Sequence, residues 1–200
     1  MAFHPCNTRR SYSVRRYTPA DEPSWLRCRV LSFLNTAYYD DVLQVKPFIA
    51  DPGLELVAAD DEGTVIAIMD TAVENESAII DTVAVHPDHQ RQGLGADLLE
   101  QTCTWAQHRG AKTLNAWTRD DTDTLLWYQA MGFTESDHYL HVYANRYTSP
   151  QEPERAITAT RSGLHPVTAF LHASLESEEQ IRREFTRVHV CRRFTKPLPS

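Results

Sequence analysis

The strongest structural signal in the chain is the stretch IIDTVAVHPDHQRQGLGA, which occupies residues 79–96. It begins with an apolar run typical of a strand, continues through a short polar loop, and opens at Gly95 onto an amphipathic pattern typical of a helix. The first N–H groups of a helix have no acceptor within that helix, and the helix dipole adds about half a positive charge there. Gly93 and Gly95 carry no Cβ atom that would keep a ligand from the backbone. The stretch therefore predicts an anion-binding junction, to which Arg91 can add a charge-assisted contact.

Two other glycine motifs are excluded by the residues present. A P-loop ends in Gly-Lys-Ser or Gly-Lys-Thr, whereas Gly95 is followed by Ala-Asp. A dinucleotide-binding fingerprint has three glycines spaced as GxGxxG early in the chain, with an acid about 20 residues further on, and this pattern is also missing. The loop therefore belongs to another class of anion site.

The residues before the loop predict a run of strands. Three β-rich segments, 54–59, 64–73 and 78–85, are joined by short polar turns, which predicts an antiparallel meander. Further upstream, residues 12–17 alternate like a short strand. Thr18-Pro19-Ala20-Asp21-Glu22 is typical of a helix start, and the helical region is expected to run to about Tyr39.

Beyond the loop the pattern alternates between helix and strand. We expect a helix over 95–108 that stops at Gly110, a strand over 112–118, a helix over 123–131 and a strand over 133–144. A strand–helix–strand unit predicts that strand 112–118 lies parallel to the strand ending at Val85. The fold class is therefore mixed α/β. After an expected loop over 149–162, the pattern favours a strand over 167–173, a helix over 176–185 and a strand over 186–194.

Three segments resemble the GCN5-related N-acetyltransferases, the GNAT family. Gln90, Gly93 and Gly95 match that family's Q/R-x-x-G-x-G/A loop, and Trp127-Tyr128-Gln129-Ala130-Met131-Gly132-Phe133 resembles its F/W-Y-x-x-x-G-F element. The opening residues 14–21 resemble its first strand and helix start. The resemblance implies a GNAT domain over 12–145, after an N-terminal tail over 1–11. Residues 146–200 are then a C-terminal extension with a loop, a helix and a closing strand.

The resemblance implies acetyl coenzyme A as co-substrate and no metal. Its pyrophosphate would lie on the loop amides, and its pantetheine arm would pair with the central strand, in a gap where two parallel strands of a sheet with helices on both faces diverge. Diverging strands leave backbone groups unpaired, which suits a ligand rich in amides. The implied cofactor-binding residues are Val83, Ala84, Val85, Gln90, Arg91, Gln92, Gly93, Leu94, Gly95, Ala96 and Asp121.

The same resemblance implies transfer of acetyl to a primary amine by direct attack. It assigns to Tyr128 the role of general acid toward the departing thiolate, although this side chain could instead only pack. Asp81 is a candidate base, or equally a surface acid of the strand. Asp121 stands where many relatives have Asn, and capping the following helix is the alternative role for it. The N–H near Val85 is the expected oxyanion donor.

Composition excludes several functional classes. Residues 1–150 hold 12 Lys and Arg against 21 Asp and Glu, a net charge of -9, whereas a nucleic-acid binder normally carries a basic stripe. The longest purely aliphatic run, Val65–Met69, has five residues, far below the roughly 20 of a membrane span. The N-terminal residues lack the apolar core of a secretory signal, which favours a cytoplasmic location. We therefore expect no nucleic-acid or membrane partner.

The sequence leaves the acceptor open. A small-molecule or peptide amine is expected, contacted by the first helical region, where aromatic and acidic side chains would suit a cation. A homodimer through the extension 146–200 is possible, and the same extension could be mainly an interaction arm. The alternative function is a binding module that holds coenzyme A as ligand or sensor without turnover.

Overall fold

A computed structural model describes residues 12–199, so the predicted tail over 1–11 lies outside the described residues. The chain forms two compact units, one reaching to Leu114 and including Leu198 onwards, the other comprising Asn115–Pro197. Both contain strands and helices, and the predicted mixed α/β class is confirmed. No helix within residues 12–199 is long and apolar enough to cross a lipid bilayer.

The first unit contains the predicted meander. Its elements are β1 (Tyr12–Arg16), α1 (Glu22–Phe33), β2 (Gly53–Asp60), β3 (Val65–Glu74), β4 (Ser77–Val85) and α2 (Leu94–His108), and β5 (Thr113–Thr118) begins here. The strand order is β1-β2-β3-β4, and each neighbouring pair is antiparallel. The core of this unit forms where Trp25 and Cys28 of α1 pack against Val57, Val65, Ile68 and Ala84.

The first helix is shorter than the sequence predicted. It ends at Phe33 rather than near Tyr39, because the Phe33 carbonyl accepts hydrogen bonds from both the N–H and the Oγ1 of Thr36, which close a turn. Between α1 and β2, residues 34–52 contain no helix or strand. A long connection of this kind is usually either functional or disordered.

A bulge interrupts β4 opposite β3. Asp70 pairs with Thr82, but the next residue, Thr71, pairs with Ile80, so Asp81 is the additional residue. Bulges re-aim side chains and are frequent next to active sites. Asp81, at this bulge, is exposed.

The second unit contains the rest of the chain. Its elements are α3 (Thr122–Ala130), β6 (Thr134–Asn145), α4 (Glu152–Ala156), β7 (Thr168–Ala173), α5 (Glu178–Glu184) and β8 (Arg187–Pro197). The strand order is β5-β8-β6-β7, and β6 is antiparallel to both of its neighbours. An apolar core forms where Leu140, Val142 and Ala144 of β6 pack with Phe185, Val188 and Val190.

The expectation of a loop over 149–162 is wrong in part, because α4 lies within it. Glu152, at the first position of α4, is only 1% exposed. Its carboxylate accepts the N–H of Asn145, and also the N–H and the hydroxyl of Thr186. These tertiary hydrogen bonds order a segment whose composition is typical of a loop.

Candidate functional site

The junction between β4 and α2 has the backbone geometry that its glycines predicted. A short 3-10 turn, Pro87–His89, follows β4, and Gly93 is the N-cap of α2 with φ 89° and ψ −2°. Arg91 also has a positive φ, of 61°. A residue other than glycine in this region is uncommon and is often found at a functional site. Turns that combine such residues are typical of backbone nests for anions.

The start of α2 contains amides that have no acceptor in the described part of the chain. Ala96 and Asp97 both donate to the Gly93 carbonyl, at 3.0 Å. Among residues 12–199, by contrast, no protein acceptor is found for the N–H groups of Gly93, Leu94 and Gly95. These donors lie at the positive end of a helix that is 15 residues long. The junction can therefore hold an anion through main-chain hydrogen bonds.

Charged and polar side chains lie around the junction. Arg91 and Gln92 are exposed, so both side chains can reach a ligand. The acid of the first turn, Asp97, accepts a hydrogen bond from the Tyr12 hydroxyl at 2.5 Å. The Gln90 amide group donates to the Val85 carbonyl at 3.2 Å and thereby ties the loop to the end of β4.

The predicted residues of β4 lie in the same unit as the loop. Val83 pairs with Met69 and Val85 with Ala67, while Ala84 is 6% exposed and packs in the core. The Thr82 hydroxyl donates to Asp81 at 3.1 Å, which orients that exposed carboxylate. The first unit therefore brings together Asp81, residues 83–85 and residues 90–96.

Tyr128 and Asp121 lie in the second unit. Tyr128 is on α3 and is 2% exposed. Its ring is stacked on Phe194, with centroids 5.2 Å apart and an interplanar angle of 14°, and meets Phe133 edge-on at 5.2 Å. These rings fix the position of the phenol. Its catalytic role stays a prediction.

Asp121 occupies the N-cap position of α3, but its side chain makes no capping hydrogen bond. The carbonyl of Asp121 instead accepts the N–H of Leu125 at 3.0 Å. The preceding acid, Asp120, accepts from Nδ1 of His189 at 2.9 Å. None of these contacts tests whether Asp121 binds the cofactor, so this role also stays a prediction.

Sequence reasoning missed a buried ion cluster on β3. Asp70 is 1% exposed and lies beside the ammonium group of Lys46. Burial raises the pKa of Asp70 to about 7, against the attraction of Lys46, which lowers it. An acid directly after the apolar run 65–69, within a predicted strand, was a visible signal for Asp70. Lys46 carried no signal, because its segment has no periodic pattern.

Within residues 12–199 there is no group of three His, Cys, Asp or Glu side chains that could hold a metal ion. His86 and His89 flank the 3-10 turn with their rings 5.6 Å apart, and His86 accepts the N–H of Asp88.

Comparison with known proteins finds a matching family model, similar enzymes and solved structures with a similar fold. The model of the acetyltransferase (GNAT) family matches residues 15–133. The ribosomal protein bS18-alanine N-acetyltransferase of Escherichia coli strain K12 is 33% identical over 96 residues, which is 48% of this chain and 62% of that protein. The enzyme of the same name from Salmonella typhimurium strain LT2 is 34% identical over 102 residues, 50% of this chain and 65% of that protein. The chain thus covers less than two thirds of these curated relatives.

Solved structures share the fold. The ribosomal-protein-S18-alanine N-acetyltransferase of Escherichia coli has a TM-score of 0.57 at 17% identity, covering 94% of this chain and 95% of that one. Nourseothricin acetyltransferase gives 0.53 at 16% identity, with coverages of 95% and 100%. Ard1 from Thermoplasma volcanium gives 0.58 at 12% identity, with coverages of 95% and 99%. At these identities the likeness concerns the fold alone.

Proposed function

Because the chain belongs to the acetyltransferase (GNAT) family, we propose that it transfers an acetyl group from acetyl coenzyme A to a primary amine. The observation that carries this proposal is the set of N–H donors at Gly93, Leu94 and Gly95, for which residues 12–199 offer no acceptor. Such donors at a helix N-terminus suit a diphosphate. Isothermal titration of the protein with acetyl coenzyme A and with coenzyme A tests the binding step directly, and absence of heat with both would remove the proposal.

The residues present fit this co-substrate. The amides of residues 90–96 would hold the diphosphate, Arg91 would add charge, and the backbone of Val83 and Val85 would pair with the pantetheine arm. When bound, acetyl coenzyme A supplies an acetyl group activated as a thioester. The protein's own task is then to orient the amine, to stabilise negative charge on the thioester oxygen near the Val85 N–H, and to move protons.

Tyr128 would donate a proton to the thiolate sulfur as it departs. Support for this role comes from its position in the family's aromatic element and from the rings of Trp127, Phe133 and Phe194, which pack against it. We expect Tyr128→Phe to lower kcat at least about tenfold, since general acid catalysis contributes roughly 10² to 10⁴ in rate. The affinity for acetyl coenzyme A should stay within about twofold, because phenylalanine preserves the ring stack.

Steady-state kinetics and titration of the same preparation measure both quantities. The far-ultraviolet circular dichroism spectrum serves as the control for folding, since the ring is buried. An unchanged kcat would exclude Tyr128 as the acid.

The proton of the amine must also be removed, because an ordinary aliphatic ammonium has a pKa near 10.4 and only about one part in 2,500 is neutral at pH 7. Asp81, exposed at the bulge of β4, is our candidate for this role. It lies two residues before Val83, on the strand that would hold the pantetheine arm.

The acceptor is a small-molecule or peptide amine. The curated relatives are named for acetylation of an alanine in a ribosomal protein, so a short peptide that begins with alanine is a suitable first substrate. Thiol release from acetyl coenzyme A, measured with this peptide and with a panel of small amines, tests the activity, and mass spectrometry identifies the product. Consumption no faster than without protein, together with binding of coenzyme A, would favour the alternative of a non-catalytic sensor. We place the reaction in the cytoplasm, and cell fractionation tests that location.

A further inference from the structure

The long connection between α1 and β2 is joined to the sheet by a backbone hydrogen bond from Val73 to Pro52 and by a buried cation, Lys46. Residues 34–52 contain no helix or strand, yet the side chain of Lys46 is only 3% exposed. Its Nζ forms an ion pair with Oδ2 of Asp70 at 2.9 Å and a second one with Oε1 of Glu55. The connection is therefore joined to β2 through Glu55 and to β3 through Asp70.

Other groups complete the surroundings of this ammonium. Nζ lies 4.9 Å from the ring centroid of Tyr17 and 5.1 Å from that of Trp25, within the range of cation–π attraction. The backbone N–H of Lys46 donates to Oε1 of Glu22 at 2.9 Å. Burial alone would lower the pKa of Lys46, but the Glu55 hydrogen bond and the Asp70 carboxylate raise it overall. The side chain therefore stays charged, and removing it would leave two carboxylates facing each other.

The contact made by Met69 shows which face of the sheet this cluster occupies. Met69 receives a hydrogen bond from Thr102 of α2, so Asp70, one residue further along the strand, points to the opposite face, together with Trp25 of α1. Asp70 pairs with Thr82, which is followed by Val83 and preceded by the exposed Asp81. The cluster of Lys46, Glu55 and Asp70 therefore lies next to the part of β4 where the proposed function places the thioester and the candidate base.

The connection 34–52 exposes large apolar side chains to solvent. Five large apolar residues of this segment are more than half exposed: Leu34 at 57%, Tyr39 at 52%, Val42 at 62%, Val45 at 67% and Phe48 at 88%. The same segment includes the acids Asp40 and Asp41, and Asp41 pairs with the buried Arg29 at 2.8 Å. We call these exposed apolar side chains and acids the apolar and acidic surface of the connection. Side chains of these two kinds suit an amine that carries hydrocarbon and positive charge.

We propose that Lys46 is a positioning residue for acceptor binding: by joining the connection 34–52 to Glu55 and Asp70, it holds this apolar and acidic surface as one wall of the acceptor site beside Asp81. The proposal rests on the proposed acetyltransferase function. It differs from a purely structural role of Lys46, because a structural role predicts a loss of global stability without a selective effect on the acceptor.

The test compares Lys46→Met with Lys46→Arg, which retains the charge. Lys112→Met is the matched control, since Lys112 is an exposed lysine of the same unit that pairs with Glu76 at 2.5 Å. Hydrogen–deuterium exchange of the free protein should show amides 35–51 exchanging about tenfold faster or more in Lys46→Met. Amides of α2 should be unchanged in that variant, and both regions should be unchanged in Lys112→Met.

Kinetics supplies the second measurement, with the alanine peptide or, if it is not a substrate, the fastest amine of the panel. We expect Lys46→Met to raise the acceptor KM about tenfold, to change kcat less than about threefold, and to leave acetyl coenzyme A affinity within about twofold. Lys46→Arg should restore most of the KM. Unchanged exchange over 35–51, or an equal loss of protection in α2, would overturn the proposal, as would an unchanged KM.

The two proposals fail in distinguishable ways. If the unmodified protein acetylates no amine, the proposed function fails, while the exchange measurement still decides whether Lys46 fastens the connection. If Lys46→Met does not fold, Glu55→Gln weakens the same contact and keeps the Asp70 pair. It should then produce a smaller change of the same kind in both measurements, and no change would count against the proposal.

Discussion

Gly93 has both an unusual backbone conformation and an N–H group that can bind a ligand. Its φ of 89° is a conformation that side chains of L-amino acids rarely adopt. Its N–H is also one of the donors at the start of α2 for which the described chain offers no acceptor. We expect Gly93→Ala to weaken acetyl coenzyme A binding at least about tenfold and to cost about 1 kcal/mol of unfolding free energy. Isothermal titration and urea denaturation measure the two effects.

Substitution of a second glycine, Gly63, is a control that distinguishes the effect of backbone strain on stability from the effect on ligand binding. Gly63 has a similar φ of 84°, lies in the turn between β2 and β3, and a Cβ atom there would meet nothing within 4 Å. Gly63→Ala should therefore lose a similar amount of stability and keep its affinity for acetyl coenzyme A. If both variants bound equally well, the loop at Gly93 would not be the diphosphate site.

The roles of Gly93 and Lys46 differ in whether they could be predicted from the sequence. The function of Gly93 is local, because a strand, a polar loop and a helix adjoin it in the chain, so the pattern predicted its geometry. Lys46 meets Glu55 and Asp70 only because residues 34–52 fold back over the sheet without any repeating pattern. No rule based on periodicity or spacing predicts such a contact.

At the scale of elements, the start of α1 is fastened to β1 by one carboxylate. Asp21 accepts two hydrogen bonds from the Arg15 guanidinium, both at 2.7 Å, and further bonds from the N–H and the hydroxyl of Thr18. The Arg15 hydrogen bond is the main reason why the pKa of Asp21 is lowered to about 2. Since this value is below that of the unfolded chain, the stabilisation is present above about pH 4 and is lost as the pH falls toward 2.

We therefore expect Asp21→Asn to lower the unfolding free energy by about 1–2 kcal/mol at pH 7. The difference from the unmodified protein should shrink as the pH falls from 4 to 2. Urea denaturation at pH 7 and at pH 3 measures it, with Asp61→Asn as a control in an exposed turn. A difference that did not depend on pH would contradict the assignment.

The elements themselves were predicted unevenly, for physical reasons. The strands β2, β3 and β4 came close to their predicted bounds because alternation and turn residues agreed. The helical region expected to run to about Tyr39 ends at Phe33, because the Thr36 hydroxyl binds the Phe33 carbonyl and closes a turn. The helix α4 depends on tertiary bonds of Glu152, which composition does not reveal.

At the scale of the whole molecule, the C-terminal extension contributes an internal strand. β8 lies between β5 and β6, and it pairs with β6 from Thr134 to Tyr143. Truncation after Asn145 would remove this strand and one side of the core around Leu140, so it would unfold the second unit rather than release an arm. The proposed homodimer must therefore be tested by a point substitution.

β7 is the edge strand of the second unit and the natural candidate for such a contact. An edge presents unpaired backbone groups, and Phe170 of β7 is 53% exposed. If two copies associate through the extension, a charge there should prevent it, because burying an unpaired carboxylate is costly. We expect the full chain to be dimeric and Phe170→Glu to be monomeric in light scattering over a range of concentrations. Phe48→Glu, an even more exposed phenylalanine outside the extension, should leave the mass unchanged. A monomeric unmodified protein would exclude the dimer, and a dimeric Phe170→Glu would exclude the face of β7 that carries Phe170.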